Sequence, residues 1–290
     1  MKVSGFTFIR NAIKYDYPIV EAILSILPIC DEVVVVVGNS DDDTLNLIRG
    51  IDSKIIVVES IWDDSLREGG RVLAVETDKA FASISKDSDW AFYIQGDEVI
   101  HEKHLEEIKL SMEKNLHRDE VDGLLFDYKH FYGSYDFVGS SISWYLDEIR
   151  VIRNRKDIFS YRDAQGFRKL ANEKLNVVKI NAEVYHYGWV KPPDKMQSKQ
   201  ETFNKLWHDD NWVNENVKNT ESFDYLSNIR ELAVFKGTHP KVMQKRINEK
   251  NWEFDYDISF NNSKIKDNLK RFLRRYLNID IRYKNYNKIK

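Results

Sequence analysis

Two adjacent carboxylates, Asp97 and Glu98, follow directly on an apolar, aromatic run at residues 90–94 and the pair Gln95-Gly96. The run reads as a buried strand, so the acids stand at a strand's carboxyl end, where open α/β sheets bind their ligands. A carboxylate in that position suits a hard divalent cation and the phosphates it carries. The alternative is a solvated turn with two acids. Gly69-Gly70 precedes a helical pattern and permits close backbone approach to a ligand at a helix N-terminus. Arg10, Arg71, Lys195 and Lys199 are cations able to contact phosphate, each with an ordinary surface role as its alternative. The aromatic segment 132–144 and the loop 163–168 could wall a ligand, or could simply pack in the core.

The elements that must position these groups are legible in order. Residues 3–9 predict a first strand closing at Arg10-Asn11. Pro18 opens a helix, with Ile19, Ala22, Ile23, Ile26 and Leu27 on its stripe, and Pro28 stops it. Residues 33–37 are consecutive valines, a run that belongs inside a parallel sheet. A short helix at 44–51, a strand at 54–58 and a polar loop at 62–68 come next. Leu73, Thr77, Ala80, Phe81 and Ile84 then carry a longer helix, and after the acid-bearing strand a helix covers 102–116. This strand–helix alternation predicts a Rossmann-like three-layer α/β/α sandwich. Further on, strands are expected at 123–131, 148–152 and 177–187, and helical pieces near 194–208, 224–235 and 240–250.

Composition narrows the class. With 290 residues, 42% hydrophobic and 31% charged, the chain can bury a large core. Cys30 is the only cysteine, which rules out an intrachain disulfide and a cysteine-based zinc site and suits a reducing compartment. No apolar run approaches the roughly 18 residues of a membrane span, and no signal-peptide pattern opens the chain; a cytoplasmic protein is expected. The formal charge of −3 is unevenly spread: residues 264–290 hold ten Lys or Arg against Asp267 and Asp280, a net +8, which leaves −11 elsewhere. Within that tail Ile265, Leu269, Phe272, Leu273, Tyr276 and Leu277 share one helical face, so a basic amphipathic helix is expected. It would either attach peripherally to a membrane surface or dock on its own domain; nucleic acid is a weaker alternative.

No Gly-x-Gly-x-x-Gly follows the first strand, and neither a Walker A sequence nor Gly-x-Ser-x-Gly is present. What is present is Arg10-Asn11 after the first strand, then Glu-Val-Val-Val-Val-Val-Gly-Asn-Ser-x-Asp-x-Thr at 32–44. Glu-Gly-Gly-Arg at 68–71 and Tyr-Ile-Gln-Gly-Asp-Glu at 93–98 complete the series. In order and spacing these stretches resemble the GT-A core of family-2-like glycosyltransferases over roughly residues 3–200.

The resemblance implies a GT-A fold in residues 1–205, binding nucleotide sugar and acceptor, with a C-terminal helical extension at 206–290. It implies transfer of a sugar from a nucleotide donor to a glycan or lipid-linked acceptor in surface-polysaccharide synthesis, assisted by Mn²⁺ or Mg²⁺. Asp97 matches the direct metal ligand of the family's Asp-x-Asp motif, and Gln95 stands where the first acid would, still able to bond a ribose hydroxyl. Glu98 would assist from behind. His186 is a second candidate metal ligand, with a core histidine as its alternative. Phe8, Arg10, Asn11, Gly38, Asn39, Asp42, Gly70, Arg71 and Gln95 would contact the nucleotide sugar. Val37-Gly38 replace an acid at the second strand's end, which leaves the base open. An inverting enzyme needs a general base, for which Asp147 and Glu148 are the candidates, an exposed strand-start pair being the alternative. A sugar-phosphate nucleotidyltransferase, which would show a Gly-rich basic loop after the first strand, and a non-catalytic glycan- or nucleotide-binding protein are the competing readings.

Overall fold

The computed structural model describes residues 1–66, 69–141, 143–217, 220–229, 231–259 and 283–290. The first half alternates as expected: β1 (Val3–Ile9), α1 (Ile19–Ile26), β2 (Glu32–Gly38), α2 (Thr44–Arg49), β3 (Ile55–Ser60), α3 (Arg71–Ala82) and β4 (Trp90–Tyr93). A short strand not expected from the sequence, β5 (Glu98–Ile100), precedes α4 (Leu105–Lys114). The second half is richer in strands than the sequence suggested: β6 (Gly123–Tyr132), β7 (Ser134–Gly139), β8 (Asp147–Arg153), β9 (Ile158–Tyr161), β10 (Gly166–Lys169) and β11 (Glu173–Trp189). There follow α5 (Pro193–Asn204), α6 (Asp210–Asn216), β12 (Leu232–Val234), α7 (Gln244–Asn248) and β13 (Tyr286–Ile289).

The sheet runs β3-β2-β1-β4-β8-β6-β11-β10-β9. Its first four strands are parallel, and β8 is inserted antiparallel between β4 and β6. The valines of β2 are buried on both faces because helices cover both. Val33, Val35 and Val37 pack in a cluster with Ile19, Ala22, Ile23 and Ile26 of α1 and Ile108 and Met112 of α4. Val34 and Val36 pack opposite, with Val72, Leu73, Ala80 and Phe81 of α3. Each fully buried valine of this kind contributes about 1.5–3 kcal/mol. The expected three-layer α/β/α sandwich is therefore present here, with its helices on both faces of a largely parallel half-sheet.

Beyond residue 205 the helical piece expected near 240–250 is present, but the one at 224–235 needs correction. The stretch 224–235 is a single 3-10 turn at Leu226–Asn228 followed by β12, which pairs with β7. Its aromatic and β-branched residues favour edge pairing and ring packing over a helical stripe: Tyr225, Ile229 and Leu232 join Tyr132, Met196 and Tyr256 in one buried cluster. The chain's last residues also return to the sheet, as β13 pairs in parallel with the first part of β11. The predicted amphipathic helix around 265–277 lies outside the described residues. Among the described residues no helix is long and apolar enough to cross a membrane.

Candidate functional site

Three neighbouring strands set the site. β5 pairs antiparallel with β11, placing Glu98 opposite His186, and β6 pairs in parallel with the other side of β11, placing His130 beside His186. The turn Gln95-Gly96-Asp97 between β4 and β5 is thereby held against the middle of β11. Tyr187 N–H also donates to the Asp97 carbonyl at 2.8 Å.

The anchor of this turn is Glu98, which does not face the cavity. Arg150 of β8 grips it with two bonds, Nε to Oε2 and Nη2 to Oε1, both 2.7 Å. The pair is fully buried. The Tyr128 hydroxyl donates to Glu98 Oε1 and the Gln95 backbone N–H to Oε2 at 3.1 Å. The Arg150 guanidinium carbon lies 5.3 and 5.2 Å from the ring centres of Tyr93 and Tyr128, so its charge is met by carboxylate and by aromatic faces.

Asp97 has its two oxygens in different company. Oδ2 lies 3.2 Å from Lys199 Nζ, which also donates to the Gly188 carbonyl at 3.0 Å. Oδ1 lies 3.7 Å from His186 Nε2. Burial alone would raise the Asp97 carboxyl, yet Lys199, His186 and Lys191 together hold it down at about 2. Burial pushes the His186 imidazole below its usual range, so it is neutral. Lys191, completely buried, is driven well below the usual lysine range by burial and by Lys199, and donates to the carbonyls of Tyr15 and Asp16 at 2.8 and 3.2 Å. Gly188 leaves the space between these groups open: a Cβ there would lie 2.6 Å from both Asp97 Oδ2 and His186 Nε2.

These residues open into a cavity of about 840 Å³ that Phe8, Arg10, Asn11, Gln95, Asp97 and His186 all line. Two aromatic pairs belong to its lining: Phe8 and Trp62, with ring centres 5.8 Å apart, and Phe203 and Trp207, 4.3 Å apart. Arg10 lies over the Trp62 ring and pairs with Asp64 at 2.8 Å. Gln95 donates its amide to the Tyr93 hydroxyl and the Ala164 carbonyl at 3.4 and 3.2 Å, so its own carbonyl oxygen is the atom offered to the cavity.

Other candidates take up scaffold positions. Asn11, besides lining the cavity, is left-handed, a conformation that asparagine tolerates; it exchanges bonds with Asp41 and donates its backbone N–H to the Ser40 hydroxyl oxygen. Asp42 accepts from the backbone of Lys14 and of Thr44, closing the turn into α2. Gly38 lies under the Trp62 indole, and Asn39 accepts from the Trp62 and Arg10 N–H groups. Gly70, at φ +68°, turns the chain into α3, and a Cβ there would meet Trp207 and Asp163 at 2.7 and 2.8 Å. Arg71 begins α3 and is exposed. Asp147 is held by Lys179 at 2.5 Å, and Glu148 by Gln165 at 3.3 Å; neither lines the cavity. Burial raises the Glu148 carboxyl to about 8.

Sequence reasoning passed over Lys191, Arg150, His130, Tyr17 and the tryptophans Trp62 and Trp207. Their types carry no motif: the β6–β8–β11 pairings bring Arg150 and His130 to the site, and the connections after β1, β3, β11 and α5 bring Tyr17, Trp62, Lys191 and Trp207. A divalent cation fits the pair Asp97 and His186 on two counts: an ionised carboxylate oxygen faces a neutral imidazole nitrogen, and Gly188 keeps the intervening space clear. Among the described residues no cluster of three or more His, Cys, Asp or Glu could hold a metal. Two protein ligands suffice for a hard cation that keeps waters and phosphate oxygens.

No protein-family model matches this chain, and no curated protein matches it. Among solved structures it is similar to S. aureus TarS, with 16% identity over 70% of this chain and 39% of that one, at a TM-score of 0.39. The fragment TarS 1–349 in complex with UDP-GlcNAc gives 15% identity over 76% and 68%, at 0.41. Glucosyl-3-phosphoglycerate synthase from Mycobacterium tuberculosis, in complex with Mg²⁺ and UDP, gives 23% over 45% and 43%, at 0.29. The chain thus spans well under half the length of the TarS chain it matches first. Likenesses this distant transfer no activity, and the function has to be read from the site.

Proposed function

We propose that this chain is a metal-assisted glycosyltransferase. It moves a sugar from a nucleotide-sugar donor to a hydroxyl of a glycan or lipid-linked acceptor, in surface-polysaccharide synthesis, with Mn²⁺ or Mg²⁺ as cofactor. One observation carries this reading: an ionised Asp97, at the end of a central strand, faces neutral His186 on one edge and the Lys199 ammonium on the other, at the wall of a large cavity.

The roles follow from charge and shape. A nucleoside diphosphate leaving from a sugar develops negative charge, and catalysis needs positive groups already aimed at it. Asp97 Oδ1 and His186 Nε2 would hold the divalent cation, which, when bound, supplies Lewis-acid stabilisation of the departing diphosphate. Lys199, fixed by Asp97 Oδ2 and the Gly188 carbonyl, adds a second charge without having to reorganise. The rings of Phe8, Trp62, Phe203 and Trp207 offer flat faces to a base, and the free Gln95 carbonyl accepts from a ribose hydroxyl.

The test is transfer or donor hydrolysis with a panel of nucleotide sugars and Mn²⁺, with Asp97→Asn as control. Activity confined to the unmodified protein is the expected result. Full activity in Asp97→Asn sinks the site assignment.

A further inference from the structure

Behind His186 lies a second histidine that the proposed reaction does not use. His130 of β6 is 3% exposed and packs between the Trp144 ring, stacked at 4.8 Å, and the Tyr145 ring, edge-on at 4.3 Å. Its Nε2 lies 2.9 Å from the Tyr145 carbonyl oxygen, and its Nδ1 lies 3.2 Å from His186 Nδ1. Among the described residues no carboxylate bonds either nitrogen, so this enclosed ring is neutral.

The protons can then be placed one after another. A backbone carbonyl only accepts, so His130 carries its single N–H on Nε2. Its Nδ1 is left as a lone pair, and the contact with His186 is a hydrogen bond only if His186 Nδ1 holds the proton. The atom that His186 Nε2 faces is Asp97 Oδ1, at 3.7 Å, beyond hydrogen-bond reach, so a second proton on the ring would find no acceptor there and Nε2 is left bare. Two acceptors face each other there, an arrangement that favours a cation between them.

We propose that the Tyr145 carbonyl, acting through His130, locks His186 in the Nδ1–H tautomer, and that His130 is the positioning residue of a divalent-cation site formed by His186 and Asp97. The proposal rests on the metal-assisted reading of the same site and deepens it by naming what orients its imidazole ligand. A histidine ligand whose other nitrogen donates to a fixed acceptor is oriented and made more basic, and losing that acceptor typically weakens metal affinity about 10- to 100-fold.

The test uses the full chain with ¹⁵N-labelled histidine. Long-range ¹H–¹⁵N correlation of the metal-free protein should show His186 with a protonated Nδ1 and bare Nε2, and His130 with the opposite pattern. His186 protonated on Nε2 overturns the proposal. His130→Phe keeps a flat ring against Trp144 but removes both nitrogens. With folding checked by near-ultraviolet circular dichroism, it should release the His186 tautomer and weaken Mn²⁺ binding, measured by electron paramagnetic resonance, by about 10- to 100-fold. Unchanged Mn²⁺ affinity in His130→Phe, or no Mn²⁺ binding by the unmodified protein, also overturns it. If the tautomers and Mn²⁺ affinities come out as stated while no nucleotide sugar is consumed, the transferase reading falls alone. If the variant should not fold, the tautomer measurement on the unmodified protein still decides.

Discussion

Arg150 and Glu98 meet through two parallel 2.7 Å bonds in a site closed to solvent. The pair ties β8 to β5 and so holds the turn that presents Asp97. Removing one partner of such a pair strands the other charge, so Arg150→Met should cost about 3–5 kcal/mol in urea unfolding. The double replacement with Glu98→Gln should recover much of that loss. A cost below about 1 kcal/mol for the single variant would mean that the pair anchors nothing.

Glu148 predicts a pH dependence of opposite sign to that of a paired acid. Burial raises its carboxyl to about 8 against an ordinary 4.5. Below the ordinary value both folded and unfolded states hold the proton, and stability is unaffected. Between about 4.5 and 8 the folded state keeps a proton that the unfolded state has lost, so stability falls as pH rises and levels off above 8. Glu148→Gln, neutral throughout, should remove a slope worth a few kcal/mol at most over that window. Parallel stability-versus-pH curves for the two proteins, by urea denaturation, would contradict this.

Gly188 is required for the space beside Asp97 and not for its backbone angles. A methyl group there would lie 2.6 Å from Asp97 Oδ2 and from His186 Nε2. Gly188→Ala should fold, since a small shift of two side chains relieves the contact, but lose Mn²⁺ affinity by about tenfold or more. Retention of full affinity would show that the cation sits elsewhere.

The parallel half of the fold was legible because its signals are local. The valines of β2 and the stripe of α1 each announce an element without help from the rest of the chain. The place of Asp97 after a buried strand was legible because the apolar run and Gly96 mark where that strand stops. The partners were not. Arg150 and His130 look like ordinary strand residues until β8 and β6 are laid beside β4 and β11, and those pairings depend on long connections that carry no local mark. β5, at three residues, is too short for any periodicity to show. Glu98 was expected behind Asp97 and lies there; what the sequence could not show is its partner, Arg150.

Lys199 offers the sharpest separation of structure from catalysis. Its ammonium pairs with Asp97 Oδ2, sits over the Tyr17 ring at 4.9 Å and lines the cavity. If its work is to neutralise charge that appears only as the diphosphate departs, Lys199→Met should lower kcat by about 10²- to 10³-fold with little change in KM. If it serves only to balance a buried Asp97, the variant should chiefly lose stability. Adding Asp97→Asn, which removes the stranded carboxylate, should restore stability, while turnover is read on the single variant alone because Asp97→Asn is itself expected to abolish activity. Steady-state rates for the single variant and urea midpoints for the single and double variants supply the two readouts. A Lys199→Met protein of lowered stability and normal kcat would assign the lysine to the scaffold.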